Sequence, residues 1–272
     1  MKSPIPYMGG KSRLVPTLVP IIGRIPHDCY CEPFCGGASV LFGKPPDISK
    51  AEVINDADGE LVSFFRVLQN HYLPFIDLYR HAVVSRKIFE WEKMKRPETL
   101  TDLQRAARFY YLQRLAFGGK TGDARSFGYA RHGRPKLNLD AVSEELAEFH
   151  HRLKGVVIEH EDGPGCIRRY DAPETLFFID PPYYKTADYD VEFAAERYAE
   201  LAALLSSIKG KFMLTLNAHG FIRKTFAAFH CAETKTRYTV GGKDRGQNIA
   251  EFLFSNFDLP VRLRTPKDKE GK

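Results

Sequence analysis

The stretch that decides the fold is "LFFIDPPYYK", Leu176 to Lys185. Four apolar residues run without a polar break into an acid, two prolines and two tyrosines. An unbroken apolar run bounded by prolines reads as a strand buried on both faces, so Thr175 to Asp180 is predicted to be one. Strands of that kind belong to parallel sheets covered by helices, and ligands gather outside their carboxyl ends. A carboxylate at such an end, beside prolines that remove backbone freedom, is a candidate functional group.

Working outward, the same grammar repeats. "CYCEPFCGGASVLFG" places a short strand, Cys29 to Cys31, before a Pro and a Gly-Gly pair, and "AEVINDADGEL" places another, Glu52 to Asn55, before acids. Further strands are expected at Val156 to His160, Lys211 to Asn217 and Ala250 to Phe257. Helical spacing follows the Gly-Gly turn of "IPYMGGKSRLVPTLVPII", begins again near Glu60, and recurs at Ile88 to Lys95, Leu103 to Leu115, Phe193 to Ser207 and Phe221 to Phe229. Strands alternating with helices predict an α/β fold with a mostly parallel sheet. Composition shifts between Tyr72 and Leu146, and a long polar stretch rich in Gly, Arg and Lys runs from Gly118 to Lys136. Loops of that length inside a compact domain usually carry function.

The chain has 272 residues, 43% hydrophobic and 27% charged, which fits a soluble globular protein. It has no apolar run of bilayer-spanning length and no basic segment followed by an apolar stretch at its start. Five cysteines, an odd number, read as reduced thiols in a cytoplasmic protein. No His or Cys at matching spacing completes a four-ligand set around "CYCEPFC", so no metal is expected. Net charge is +6. Between Arg105 and Lys136 there are eight basic residues against one acid, Asp123, so this segment carries the whole excess.

The chemistry of Asp180-Pro181-Pro182-Tyr183 suits a flat ring bearing an amino group. Such a nitrogen is a poor nucleophile, because its lone pair is delocalised into the ring. Two acceptors at its hydrogens, the Asp180 carboxylate and the Pro181 carbonyl, favour a pyramidal nitrogen whose lone pair faces an electrophile. Pro181 and Pro182 hold those acceptors in place, and Tyr183 offers a stacking face. The bland alternative is a strand end with a Pro-Pro turn and packing tyrosines. Asp56 follows a strand and can accept two ribose hydroxyls, though Asp56 or Asp58 can equally cap a helix.

Together with "CEPFCGG" (Cys31 to Gly37) and "PYMGGK" (Pro6 to Lys11), this motif resembles the Dam-like, D12 class of DNA adenine-N6 methyltransferases. The motif order matches the alpha arrangement of that family, and the likeness runs from Pro4 to Phe257. The resemblance implies a Rossmann-like S-adenosyl-L-methionine (SAM)-dependent methyltransferase sheet with an inserted, mainly helical DNA-recognition lobe. It places the catalytic domain at 1–71 and 150–260, the lobe at 72–149 and a tail at 261–272. It also implies double-stranded DNA as partner and direct methyl transfer to a flipped adenine. It implies no membrane and no particular oligomer.

By that likeness Glu32, Pro33, Phe34, Cys35 and Gly36 form the cofactor loop, with a helix N-terminus behind it for the SAM carboxylate. Phe34 would feel the sulfonium charge, Tyr7 would pack on SAM, and Lys11 would pair with the carboxylate. Asp56 would take the ribose, Asp162 or its neighbour Glu161 the adenine amino group, and Asp180 would border the cofactor as well. Family members carry an aromatic after the adenine-binding acid, where this chain has Gly163. Arg114, Lys120, Arg125, Arg131, Arg134 and Lys136 are the expected DNA contacts, in a region where the family has a base-probing hairpin. Asn217 is read as structural, His150 and His151 as lying near a helix end, and Trp91 as packing in the lobe with one side open. The rival readings are an RNA adenine or other amino methyltransferase, and a non-catalytic DNA-binding regulator.

Overall fold

A computed structural model describes residues 1–128, 136–185, 193–237 and 248–259. The strands are β1 Cys29–Glu32, β2 Ala51–Asn55, β3 Val156–Glu159, β4 Thr175–Ile179, β5 Lys211–Asn217, β6 His230–Arg237 and β7 Asn248–Ser255. They form one sheet in the order β3-β2-β1-β4-β5-β7-β6. β1 to β5 are mutually parallel, and β7 runs antiparallel between β5 and β6. From β1 the chain builds outward to β2 and β3. It then returns to β4 on the other side of β1 and continues to β5. That reversal opens a crevice at the carboxyl ends of β1 and β4.

All five residues of β4 are buried, and their alternation divides the core. Leu176 and Phe178 join one apolar cluster, and Phe177 and Ile179 join another. Tyr30 and Cys31, Ile54 and Val53, and Met213 and Leu214 divide the same way, as a period of two requires. The first face is covered by α1 Val15–Ile22, α2 Ser39–Gly43, α3 Gly59–Asn70, α6 Asp102–Leu115 and α7 Val142–Leu153; the second by α8 Gly163–Tyr170, α9 Ala195–Leu205 and α10 Gly220–Thr225. Caps set two of the starts. Asp58 accepts from the Glu60 and Leu61 amides at α3, and Thr101 and Gln104 form a capping box at α6.

The region 72–149 supplies α4 Tyr72–Asp77, α5 Arg86–Met94, α6 and most of α7. Its apolar side chains enter the same cluster as the sheet's first face. Phe64 of α3 meets Phe75 at 6.0 Å, Phe109 at 5.9 Å and Tyr110 at 5.5 Å between ring centroids. α7 crosses the expected boundary at 149, and its Arg152 grips Glu52 of β2 through both guanidinium nitrogens. Three elements run against the expectation: α4, the edge strand β6 and the Gly- and Pro-containing helix α8. The stretch from Gly118, as far as it is described, holds two short 3-10 turns, Phe117–Gly119 and Gly122–Ala124, and returns to bridge Phe127 to Ala116 in antiparallel fashion. Among the described residues no helix is long and apolar enough to cross a membrane.

Phe64→Ala is expected to remove about 3–5 kcal/mol of stability in one cooperative transition. The check is urea unfolding followed by far-ultraviolet circular dichroism and by fluorescence of the single tryptophan, Trp91. An earlier fluorescence transition would show that the lobe helices unfold separately from the sheet.

Candidate active site

Asp180 follows the last residue of β4 and stands at the switch-point crevice. Its Oδ1 accepts from Thr215 Oγ1 of β5 at 2.7 Å and pairs with Lys11 Nζ at 2.8 Å. Burial raises its pKa, and Lys11 and Thr215 oppose that rise by favouring the carboxylate. Lys11 is only 6% exposed, donates to the Gly9 carbonyl at 3.0 Å, and lies 4.5 Å from the Tyr183 ring centroid.

The corner beyond Asp180 is fixed by side chains from other elements. Asn217, at the end of β5, accepts from the Tyr184 amide and donates to the Tyr184 carbonyl, both at 3.0 Å. Tyr198 of α9 donates to the Pro182 carbonyl at 2.6 Å. Tyr184 stacks on Phe221 with centroids 4.6 Å apart. Tyr183 is buried rather than open, because the Lys11 ammonium covers its face.

On the other side of the crevice, β1 ends at Glu32. It is 2% exposed and accepts from Tyr30 Oη at 2.9 Å. Burial pushes its pKa up to about 8, against the opposing hydrogen bonds from Tyr30 and the Leu41 amide. The loop after it is tied by Asn55, which donates to the Pro33 carbonyl at 2.8 Å and the Glu161 carbonyl at 3.1 Å, and accepts from the Glu161 amide at 2.8 Å. One buried amide thereby joins the ends of β1, β2 and β3. The Cys35 amide donates to the Asn55 carbonyl. Gly36 adopts the left-handed region at φ 47°, and a Cβ there would lie 3.0 Å from the Tyr7 ring. Cys31 and Cys35 are buried, whereas Cys29 is half-buried.

Several expected roles meet different partners. Lys11 is engaged by Asp180 rather than standing apart for a cofactor carboxylate, because a buried carboxylate requires a cation. α2 has five residues and begins at a left-handed Ala38, too short for the expected helix-terminus site. Asp56 accepts from the Gly36 amide at 2.9 Å and the Asp58 amide at 3.0 Å, and burial raises its pKa to about 6. Asp162 caps α8 through the Gly165 amide at 3.2 Å, and its side chain is 59% exposed. The ring of Phe34 occupies the space a side chain at 163 would need, 2.1 Å from a Cβ built there.

The basic segment is largely turned inward. Arg125, expected to face a phosphate backbone, is 6% exposed; it donates to Gln113 at 3.1 Å and lies 5.2 Å from the Phe109 centroid. Arg114 pairs with Glu145 at 3.2 Å, Arg105 pairs with Glu60, and Arg108 donates to the Glu92 carbonyl at 2.7 Å. Lys120 is half-exposed and Lys136 exposed, while Arg131 and Arg134 lie outside the described residues. Trp91 is 51% exposed. His150 bonds the Leu68 carbonyl and stacks on Tyr72.

Sequence reasoning did not reach Thr215, Asn55 or Tyr198. Thr215 and Asn217 did leave a signal: two polar residues, two apart, after the apolar run Phe212 to Leu214.

Residues 7–240 match the family described as D12 class N6 adenine-specific DNA methyltransferase. The type II methyltransferase M1.LlaDCHI of Lactococcus lactis subsp. cremoris is 23% identical over 272 residues, 92% of this chain and 94% of its own. The type II methyltransferase M.MjaIII of Methanocaldococcus jannaschii is 23% identical over 259 residues, 84% of this chain and 88% of its own. The solved structure of a possible methylase from Clostridium difficile 630 superposes with a TM-score of 0.41 at 11% identity, covering 92% of this chain and 54% of that one. The chain belongs to the D12 class N6 adenine-specific DNA methyltransferase family and is a methyltransferase enzyme with SAM as its cofactor.

Proposed function

We propose that the protein methylates N6 of adenine at specific sites in double-stranded DNA, acting on a base swung out of the duplex. The observation that carries this reading is Asp180, a carboxylate fixed by Lys11 and Thr215 at the switch-point crevice and followed by the Pro-Pro-Tyr corner. Asp180 accepts one amino hydrogen of the target base, and the Pro181 carbonyl accepts the other. The lone pair of the nitrogen then turns out of conjugation. The Tyr183 ring, buried beneath the Lys11 ammonium, keeps that cation beside Asp180 and is not an open stacking face.

The residues fit SAM, which when bound supplies a methyl group on a sulfonium. Three adjacent parallel strands each end at or near an acid: Glu32 for β1, Asp56 for β2 and Asp162 for β3. We assign them to the ammonium, the ribose and the adenine amino group, in that order. A cation beside Glu32 favours its ionised form and offsets the burial that raises its pKa. Gly36 lets the backbone approach beneath Tyr7. Lys120 and Lys136 supply the outward charge for DNA, and the type II names of two relatives support a DNA substrate.

Asp180→Ala is expected to lower transfer of labelled methyl groups to DNA by about 10²–10³-fold or more. SAM binding, measured by calorimetry, should fall less than in Tyr7→Ala. A fully active Asp180→Ala protein would remove the mechanism. Joint replacement of Lys120 and Lys136 by Ala should weaken DNA binding at low salt. It should also flatten the dependence of log K on log salt by about 0.9 for each phosphate that is no longer neutralised; an unaltered slope would reject both residues as DNA-binding groups.

A further inference from the structure

The terminal torsion of an aspartate turns over a broad range, so a carboxylate at a strand end has no orientation of its own. Asp180 takes one from two donors that reach the same oxygen. Lys11 Nζ of the N-terminal segment lies 2.8 Å from Oδ1, and Thr215 Oγ1 of β5 donates to that atom at 2.7 Å. Among the described residues Oδ2 receives no hydrogen bond, and the side chain keeps 16% of its exposure. Thr215 is 2% exposed and is placed by register: Ile179 pairs with Leu214, so Asp180 and Thr215 follow side by side on the two strands. The Ile179 carbonyl lies 3.4 Å from the same hydroxyl, and the shorter bond to the charged oxygen is the stronger. Two residues on, the same face of β5 presents Asn217, which clamps the Tyr184 backbone. One strand therefore orients the residue that opens the corner and the residue that closes it.

We propose that Thr215 is a positioning residue for methyl transfer: with Lys11 it fixes Oδ1 of Asp180, so that Oδ2 remains as the acceptor for the target amino group. The inference rests on the reading of Asp180 as that acceptor. A buried threonine could instead serve only to fill space with its methyl group, and the two roles separate by pH. Burial raises the Asp180 pKa, and Lys11 and then Thr215 oppose the rise by donating to the ionised form. Two other acids, raised chiefly by burial, also face the Asp180 charge: Glu32 at the end of β1 and Glu251 of β7. A change at 215 leaves Lys11, Glu32 and Glu251 in place. Asp180 accepts fully only when ionised, so the rate falls as pH drops through its raised pKa. Without the hydroxyl that pKa rises further, and the acid limb begins at higher pH.

The test follows the single-turnover rate of methyl transfer to DNA against pH for wild type, Thr215→Val, Thr215→Ala and Thr215→Ser. Val keeps the shape without the hydroxyl, Ala loses both, and Ser keeps the hydroxyl alone. Val and Ala should both be slower by about tenfold or more on the plateau, with SAM affinity by calorimetry within about threefold of wild type. Their acid limbs should both lie higher by about half a pH unit or more. Ser should stay within about threefold of the wild-type rate with its limb in place. A Val rate or limb that coincides with wild type overturns the proposal, as does a loss that follows volume, with Ser as slow as Ala. The Asp180 titration, read by carbon-13 NMR of aspartate carboxyls and assigned with Asp180→Asn, needs no methyl transfer and should move up in Val. A wild type that methylates no adenine refutes the functional reading, and with it the role in transfer, whatever the titration does. A wild type that methylates adenine while Val changes neither rate nor titration overturns the role of Thr215 alone.

Discussion

A carboxylate at the end of a strand buried on both faces is unfavourable unless a cation reaches it. Asp180 finds that cation in Lys11, 169 positions earlier in the chain, so the N-terminal segment must cross the carboxyl edge of the sheet. Other bonds hold it there. Gln113 of α6 donates to the Pro6 carbonyl at 2.6 Å and to the Gly119 carbonyl at 2.9 Å, and Arg114 donates to the Pro4 carbonyl at 3.2 Å. A continuous set of contacts thus runs from the helical region to Asp180. Buried Arg125 belongs to it, because it orients the Gln113 amide from behind.

The same constraint explains why the described part of the crevice is built from strand ends. Asn55 ties three strand ends with one side chain, and Asn217 clamps the Tyr184 backbone with another. Each satisfies backbone groups that would otherwise lie buried and unpaired, a situation worth about 1–3 kcal/mol per group. Order at the crevice is therefore inherited from the sheet core. The acids Glu32, Asp56 and Asp180 hold raised pKa values because the scaffold keeps water away from them.

Much of this was legible in the residues. β4 announced itself as an unbroken apolar run, and β1, β2 and β5 lay within a residue or two of expectation because their ends carry Pro, Gly or acids. β6 escaped because "HCAETKTR" is an edge strand whose second half, Glu233 to Arg237, is polar throughout and shows no apolar alternation; among the described residues it pairs with β7. α8 escaped because "GPGCIRRY" contains helix breakers, yet its Pro is in the first turn, where the missing amide does no harm. The partners of Asp180 were hidden for a different reason. Thr215 and Lys11 lie far from Asp180 in the chain and meet it only through the strand order and the path of the N-terminal segment, which local pattern does not encode.

Formal charge misled in one place for a physical reason. Counting cations between Arg105 and Lys136 treats each as exposed, but a guanidinium presents five donors in a fixed fork and is easily satisfied by carbonyls and carboxylates inside a protein. Arg108 takes the Glu92 and Lys93 carbonyls, Arg114 takes those of Pro4 and Lys136, and Arg125 takes Gln113. Counterion release requires cations that meet phosphates in water, so arginines folded inward add little to it. They act instead as struts between α6, the N-terminal segment and the glycine-rich turn after Phe117. Among the described residues of this segment the lysines, whose ammonium groups are strongly hydrated, lie at the surface, and Arg108, Arg114 and Arg125 build the platform beneath them.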